Sequence, residues 1–359
     1  SGAPMPETTT ASLTAAGSVT FGPIAYGLSD AGKTYTYTIT EDSFGAGWSG
    51  APESVTATVA VVDNGDGTLG TTVTYSPEDA TFTNTYKATG KATIEATKAV
   101  EGAAWPTGKT LTFTLAGTNS APMSAEGEET AALTEPGTAA FGEITYTEAD
   151  AGKTYTYTIS EDGFGDGWTG SGDITATVVV TDNGDGTLET TVTYSPSSTI
   201  TNTYVAEGTA VLEATKAIEG AAWPANKTIT FTLAGEGGTL PETKTATLSA
   251  PGKATFGAIT YDESDAGKTY TYTITEDGFG TGWTGTPTSI TATVVVTDKG
   301  DGTLETAVTY SPEDATFTNT YEASGDIELF AGMKLNAEEG LNAPDVSGKY
   351  TLTLEALEG

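Results

Sequence analysis

Lys98, Glu161 and Asn202 recur as Lys216, Glu276 and Asn319. The two lysines are 118 residues apart and the two asparagines 117. A lysine amine is a nucleophile only when neutral, and burial disfavours its charged form. Burial pushes a glutamate likewise toward its uncharged acid, which can then donate or shuttle a proton. A lysine and a glutamate held together out of water therefore suit one nucleophilic step assisted by a carboxyl group. They equally suit a plain structural role, as a buried ion pair beside a hydrogen-bonded strand asparagine. The rest of the composition offers little other chemistry. The chain has no Cys and no His, and all 14 basic residues are Lys. Disulfides, thiolate or imidazole metal ligands, and Ser-His-Asp or Cys-His catalysis are excluded.

Strands must carry these residues. TYTITED and TYTISED alternate Tyr or Ile with Thr, the period-two pattern of a half-buried strand, and end in Glu41, Glu161 and Glu276 with the following Asp. The asparagines sit in TNTY strings ending at Tyr86, Tyr204 and Tyr321, and the lysines in ATKAVEG and ATKAIEG. DNGDGTL or DKGDGTL starts at Asp63, Asp182 and Asp298 and joins two apolar strands, so each is a hairpin turn. Its acidic spacing lacks the pattern of a calcium loop. Phe164 and Trp168, in the loop EDGFGDGWTG, are expected to cover the core edge. Seven to nine strands in about 118 residues, with turns every 8–12, predict a β-sandwich. KATGK, from Lys87 to Lys91, reads as a short linker between domains.

A period near 118 residues makes each unit a domain and not a solenoid repeat. Residues 88–205 and 206–322 are complete units. Residues 1–87 lack the lysine segment, and 323–359 hold a lysine, Lys334, and a predicted strand YTLTLEA but little else. The two partial units complement each other. Joining LTLEALEG to SGAPMPE reproduces the layout of LTFTLAGTNSAPMSAE in the second unit. A short fragment of two or three strands is not expected to stay ordered alone. Residues 323–359 are therefore expected to complete residues 1–87 of a neighbouring copy, head to tail, or of an adjacent repeat in a longer tandem chain. With no signal peptide at its start and no anchor at its end, the chain reads as an internal piece or a mature subunit.

Forty-eight acidic against 14 basic residues give a formal charge of −34. Such a surface implies solubility and self-repulsion and disfavours nucleic acid as a partner. No apolar run approaches the ~20 residues that span a membrane, so no membrane insertion is expected. No cofactor and no metal are implied.

Four motifs in fixed order, ATKAVEG, YTITED, VTDNGDGTL and FTNTY, make the chain resemble the pilin isopeptide-linkage domains of Gram-positive surface fibres. The resemblance covers essentially the whole chain. It implies tandem immunoglobulin-like sandwiches of the CnaB or pilin type, an all-β fold. It also implies that the lysine amine attacks the asparagine side-chain amide, that ammonia leaves, and that the glutamate assists. The isopeptide pairs would be Lys98–Asn202 and Lys216–Asn319, assisted by Glu161 and Glu276. The divided unit supplies Glu41 and Asn84, whose lysine would be Lys334 of another copy or repeat. FAGMKLNAEEG departs from the pattern there, with Met333 in place of Thr. Tyr86, Tyr204, Tyr321 and Phe317 flank the asparagines and would supply a water-poor setting.

The resemblance implies a structural repeat of an extracellular, cell-surface fibre, a pilus shaft or adhesin stalk, and no turnover enzyme. The rival reading is a ligand- or carbohydrate-binding adhesin module, with Trp105 and Trp223 as sugar-stacking platforms. Their identical place in each repeat favours packing of both tryptophans against the neighbouring domain or loop. LPETK at Leu240 has the form of a sortase signal, but its place in the repeat is that of a loop leading into a strand.

Overall fold

The computed structural model describes residues 2–42, 44–342 and 345–357. The chain clusters into two compact units. The first holds residues 1–206 together with Gly300–Gly302, and the second holds 207–299 and 303–359. Both are built from strands, with single 3-10 turns at Leu28–Asp30, Glu148–Asp150 and Glu263–Asp265. Among the described residues no helix is long and apolar enough to cross a membrane.

Within the first unit, residues 89–204 form a two-layer sandwich. One layer has five strands in the order Leu188–Ser195, Ile174–Asp182, Thr154–Glu161, Leu111–Gly117 and Thr130–Leu133. The other has four, in the order Gly137–Ala140, Glu95–Glu101, Thr199–Tyr204 and Trp168–Gly170. The alternation in TYTYTISE works as its period requires, with Tyr157 and Ile159 fully buried. Phe113, Leu115, Val178 and Ile200 close the core between the layers. In the second unit, residues 207–321 repeat this plan, with Glu213–Glu219 and Thr316–Tyr321 side by side in the four-stranded layer.

The lysine strand Glu95–Glu101 and the asparagine strand Thr199–Tyr204 are parallel neighbours, with Lys98 opposite Ile200 and Val100 opposite Asn202. A parallel pair needs a long crossover. Here most of the sandwich is that crossover, so the lysine strand near the start of the domain and its last strand lie side by side.

Three expectations change. The second repeat has eleven strands where seven to nine were expected, because Thr130–Leu133, Gly137–Ala140, Ile144–Thr147 and Trp168–Gly170 are only three or four residues long. The KATGK segment is not a simple linker. Its residues from Thr89 onward form the strand Thr89–Ala92, which pairs with Ile144–Thr147. Finally, YTLTLEA forms no strand, nor does any other described part of residues 323–357. Its apolar side chains lie open, Phe330 at 96% exposure and Leu354 at 77%. Two short strands without a sheet to bury against gain too little to hold shape.

Residues 34–86 form a correspondingly open structure. Thr34–Ile39, Val55–Asp63 and Leu69–Ser76 make one sheet, and Trp48–Ala51 pairs with Thr83–Tyr86. The positions filled in the second repeat by Glu95–Glu101 and Leu111–Gly117 have no strand here. Tyr37 and Ile39 are accordingly only half-buried, where Tyr157 and Ile159 are sealed.

Candidate functional site

Four polar or charged side chains are buried among the described residues: Lys98, Asn202, Lys216 and Asn319. Their strands explain the clustering. Lys98 and Asn202 point inward from adjacent parallel strands, two residues out of register and therefore on one face. Glu161 comes from the opposite layer, at the end of Thr154–Glu161, and closes the group from across the core. Its Oε2 stands 3.4 Å from Lys98 Nζ. In the third repeat Glu276 Oε2 is likewise 3.4 Å from Lys216 Nζ.

The amines are held mainly by backbone. Lys98 Nζ donates to the carbonyls of Ala99 (3.1 Å) and Ile200 (3.3 Å), and Lys216 Nζ to those of Ala217 (2.9 Å) and Phe317 (3.2 Å). Lys216 Nζ also meets Asn319 Oδ1 in a very short contact. Asn202 Oδ1, Glu161 Oε2 and Glu276 Oε2 are buried without a hydrogen-bond partner. Unsatisfied buried atoms of this kind cost stability and mark sites with another purpose.

Burial lowers the pKa of Lys98 and of Lys216, against the opposing pull of the neighbouring carboxylates. Burial raises the pKa of Glu276, again against its lysine. Both shifts favour a neutral amine facing a neutral acid, the combination needed for attack on an amide.

Aromatic rings roof the site. Phe164 lies 5.7 Å from Lys98 Nζ and meets Trp105 edge-on at 4.7 Å. The stack continues through Trp168 (4.7 Å from Phe164) to Tyr204 (5.1 Å from Trp168). Trp223, Phe279, Trp283 and Tyr321 repeat this arrangement over Lys216. Trp105 Nε1 donates to Lys109 O and Trp223 Nε1 to Lys227 O, both at 2.9 Å. Both tryptophans are thus folded onto their own domains.

Two contributions were not evident from sequence. Trp105 was read as packing against the neighbouring domain or loop, and the structure instead makes it part of the roof over the lysine of its own domain. Gly170 pairs directly with Asn202, and a Cβ there would lie 3.3 Å from Asn202 Oδ1 and 3.4 Å from Glu161 Oε1. Gly285 and Gly50 occupy the same place beside Asn319 and Asn84. The signal was present as the recurring WTG or WSG after each FG-x-G loop.

The first repeat holds a partial copy. Asn84 Nδ2 donates to Glu41 Oε2 at 3.1 Å, but Glu41 is exposed and Asn84 only half-buried. Phe44 and Trp48 stack at 5.1 Å and stand open, at 64% and 42% exposure. Lys334 is exposed in the strandless segment. The turns at Asp63, Asp182 and Asp298 are hairpin tips as expected, each joining two paired strands. No group of three or more acidic side chains among the described residues is placed to hold a metal.

No curated protein sequence matches the chain. Among solved structures, the major pilin protein T-13 from Streptococcus pyogenes is 20% identical, over 66% of this chain and 99% of that one, with a TM-score of 0.24. A C-terminal fragment of the pilus adhesin SpaC from Lactobacillus rhamnosus GG is 14% identical, over 65% and 100%, with a TM-score of 0.24. These scores add no argument of their own. The family model FctA, a Spy0128-like isopeptide containing domain, matches residues 2–87, 94–205 and 212–322. On a match that spans most of its length in three repeats, the chain belongs to the FctA family of Spy0128-like isopeptide-containing domains.

Proposed function

We propose that the chain is a structural segment of an extracellular bacterial fibre, a pilus shaft or adhesin stalk, whose sandwiches are locked by Lys98–Asn202 and Lys216–Asn319 amides. The observation that carries this reading is the buried lysine and asparagine on adjacent parallel strands near the two ends of the domain, with a glutamate facing them.

Each residue has a defined part. The neutral Lys Nζ attacks Asn Cγ, and the glutamic acid gives its proton to the developing oxyanion. The resulting carboxylate takes a proton from the new ammonium and passes it to Nδ2, which leaves as ammonia while the carbonyl re-forms and its proton returns to the carboxylate. One C–N bond forms, one breaks, and the protons balance. Proximity and exclusion of water supply the rate, since an asparagine amide is otherwise inert. The step occurs once per domain, so it is not turnover. With the terminal strands bonded, a pull along the fibre passes through the amide and not through the sandwich.

The finer assembly follows from the open first repeat. Residues 323–357 of another copy, or of an adjacent repeat, fill its two absent strand positions, with Leu352 and Leu354 in the places of Leu111 and Phe113. Lys334 then reaches Glu41 and Asn84 and forms the same amide. Intact mass tests the main reading: the chain is lighter than its sequence by two ammonias. A chain at full mass would overturn it. Denaturing electrophoresis tests the inter-copy amide, which predicts a ladder of multimers.

A further inference from the structure

A second surface recurs in all three repeats, and among the described residues it is filled in two of them. In the first unit, Tyr86 Oη donates to Asp182 Oδ1 at 2.8 Å, and Gly186 N donates to Tyr86 Oη at 3.2 Å. Tyr86 ends the first repeat, while Asp182 and Gly186 belong to the hairpin turn of the second. Gly47 and Gly186 press backbone to backbone, so that a Cβ on Gly186 would lie 2.7 Å from Gly47 Cα. Both glycines hold positive φ, +85° and +87°, which leaves glycine as the residue that fits in conformation and in space. The contact repeats inside the same unit. Gly302 N donates to Tyr204 Oη at 3.3 Å, and a Cβ on Gly302 would lie 2.7 Å from Gly167 Cα.

The third seat is formed the same way. Glu322 N donates to Gly282 O at 3.0 Å, as Lys87 N does to Gly47 O at 2.8 Å. Trp283 stacks on Tyr321 at 5.1 Å, against 5.2 Å for Trp48 on Tyr86. Gly282 keeps φ at +84°. The three atoms nearest a Cβ on Gly282 all belong to Tyr321, where one on Gly47 meets Gly186 at 2.7 Å beside Tyr86. The turn Asp63–Gly67 of the first repeat is the matching free half. Gly67 has φ +88°, and a Cβ there would meet nothing within 4 Å. Its internal bonds copy the seated turn: Gly65 N to Asp63 Oδ1 at 2.9 Å and Thr68 N to Asp66 Oδ1 at 3.0 Å, against 2.8 Å and 3.0 Å from Gly184 and Thr187.

We infer that Gly282 and Tyr321 of one chain form a docking seat for the Asp63–Gly67 turn of a second copy. Tyr321 Oη donates to Asp63, and Gly67 N donates to Tyr321 Oη. A patch meeting a different patch of the next copy is a heterologous contact, which propagates instead of closing on itself. Both halves already hold the bound geometry, so little ordering is required. The inference rests on the end-to-end reading of the fibre and names its non-covalent contact.

Glycine-labelled full-length protein tests it by amide NMR across a concentration series. Gly67 and Gly282 resonances are expected to shift together as concentration rises. Tyr321→Phe, which keeps the ring stack, and Asp63→Ala on the exposed turn should each move the midpoint of those shifts several-fold higher. Absence of concentration dependence at Gly67 and Gly282, or shifts unmoved by both variants, overturns the seat. Gly50, beside Asn84, reports separately on strand completion of the first repeat. Shifts at Gly50 without shifts at Gly67 and Gly282 leave the end-to-end reading standing and remove the seat. Shifts at none of the three remove both.

Discussion

Lys98 and Asn202 lie on neighbouring parallel strands, two residues out of register, so both side chains enter one face of the core. The same offset holds for Lys216 and Asn319. A lysine side chain is long enough to cover that diagonal, and in the third repeat Lys216 Nζ meets Asn319 Oδ1 across it. Glu161, arriving from the opposite sheet, is expected to be indispensable to the reaction and dispensable to the fold. In Glu161→Ala the second repeat should retain its ammonia while the third still loses its own. Mass spectrometry of proteolytic fragments reads the two domains separately.

Removing the bond should cost stability in proportion to the loop it closes. For a loop of about 100 residues the chain-entropy estimate is roughly 4–5 kcal/mol. Asn202→Ala should therefore unfold its domain at clearly lower denaturant, while the intact third repeat serves as an internal reference. Equal unfolding of the variant and the parent domain would count against a covalent link.

A domain that cannot form the bond should show an unusual pH profile. In Asn319→Ala, burial keeps the folded-state pKa of Lys216 below its ordinary 10.5. The unfolded chain then binds more protons in the window between those values, so stability rises with pH there. Glu276 has a folded-state pKa raised above 4.5, so its contribution is present below 4.5 and is lost as pH rises through the folded value. Denaturation across pH should thus give a minimum between the two windows. In the parent domain the proposed bond would make Lys216 an amide, and the alkaline rise should disappear.

Gly170 should control the rate. A Cβ there would already crowd Asn202 Oδ1 at 3.3 Å and touch Glu161 Oε1 at 3.4 Å, so a larger side chain would press on both. Gly170→Val is expected to slow cross-linking by on the order of tenfold or more through misplacement of the reacting groups. The measurement is the fraction of uncross-linked mass against time after refolding.

Lysine, glutamate and asparagine were legible in the sequence because each recurs once per domain in a strand-like string. Period-two alternation made the long strands equally plain. Gly170 and Trp105 were not legible, since their roles arise from cross-strand pairing and from a loop folding back over the core. Thr89–Ala92 was hidden for a related reason. A short polar strand containing Gly90 has no apolar period and is defined only by pairing with Ile144–Thr147. Residues 350–356 show the converse: the pattern is correct, and without a sheet beside it no strand forms.

The proposed amide, drawn between two strands that adjoin only in the native sandwich, would make folding leave a chemical record. A chain denatured afterwards would keep the mass deficit, whereas one that never reached the native arrangement would weigh the full sum of its residues. Among unfolded molecules, the balance alone would separate those with a folded past from those without one.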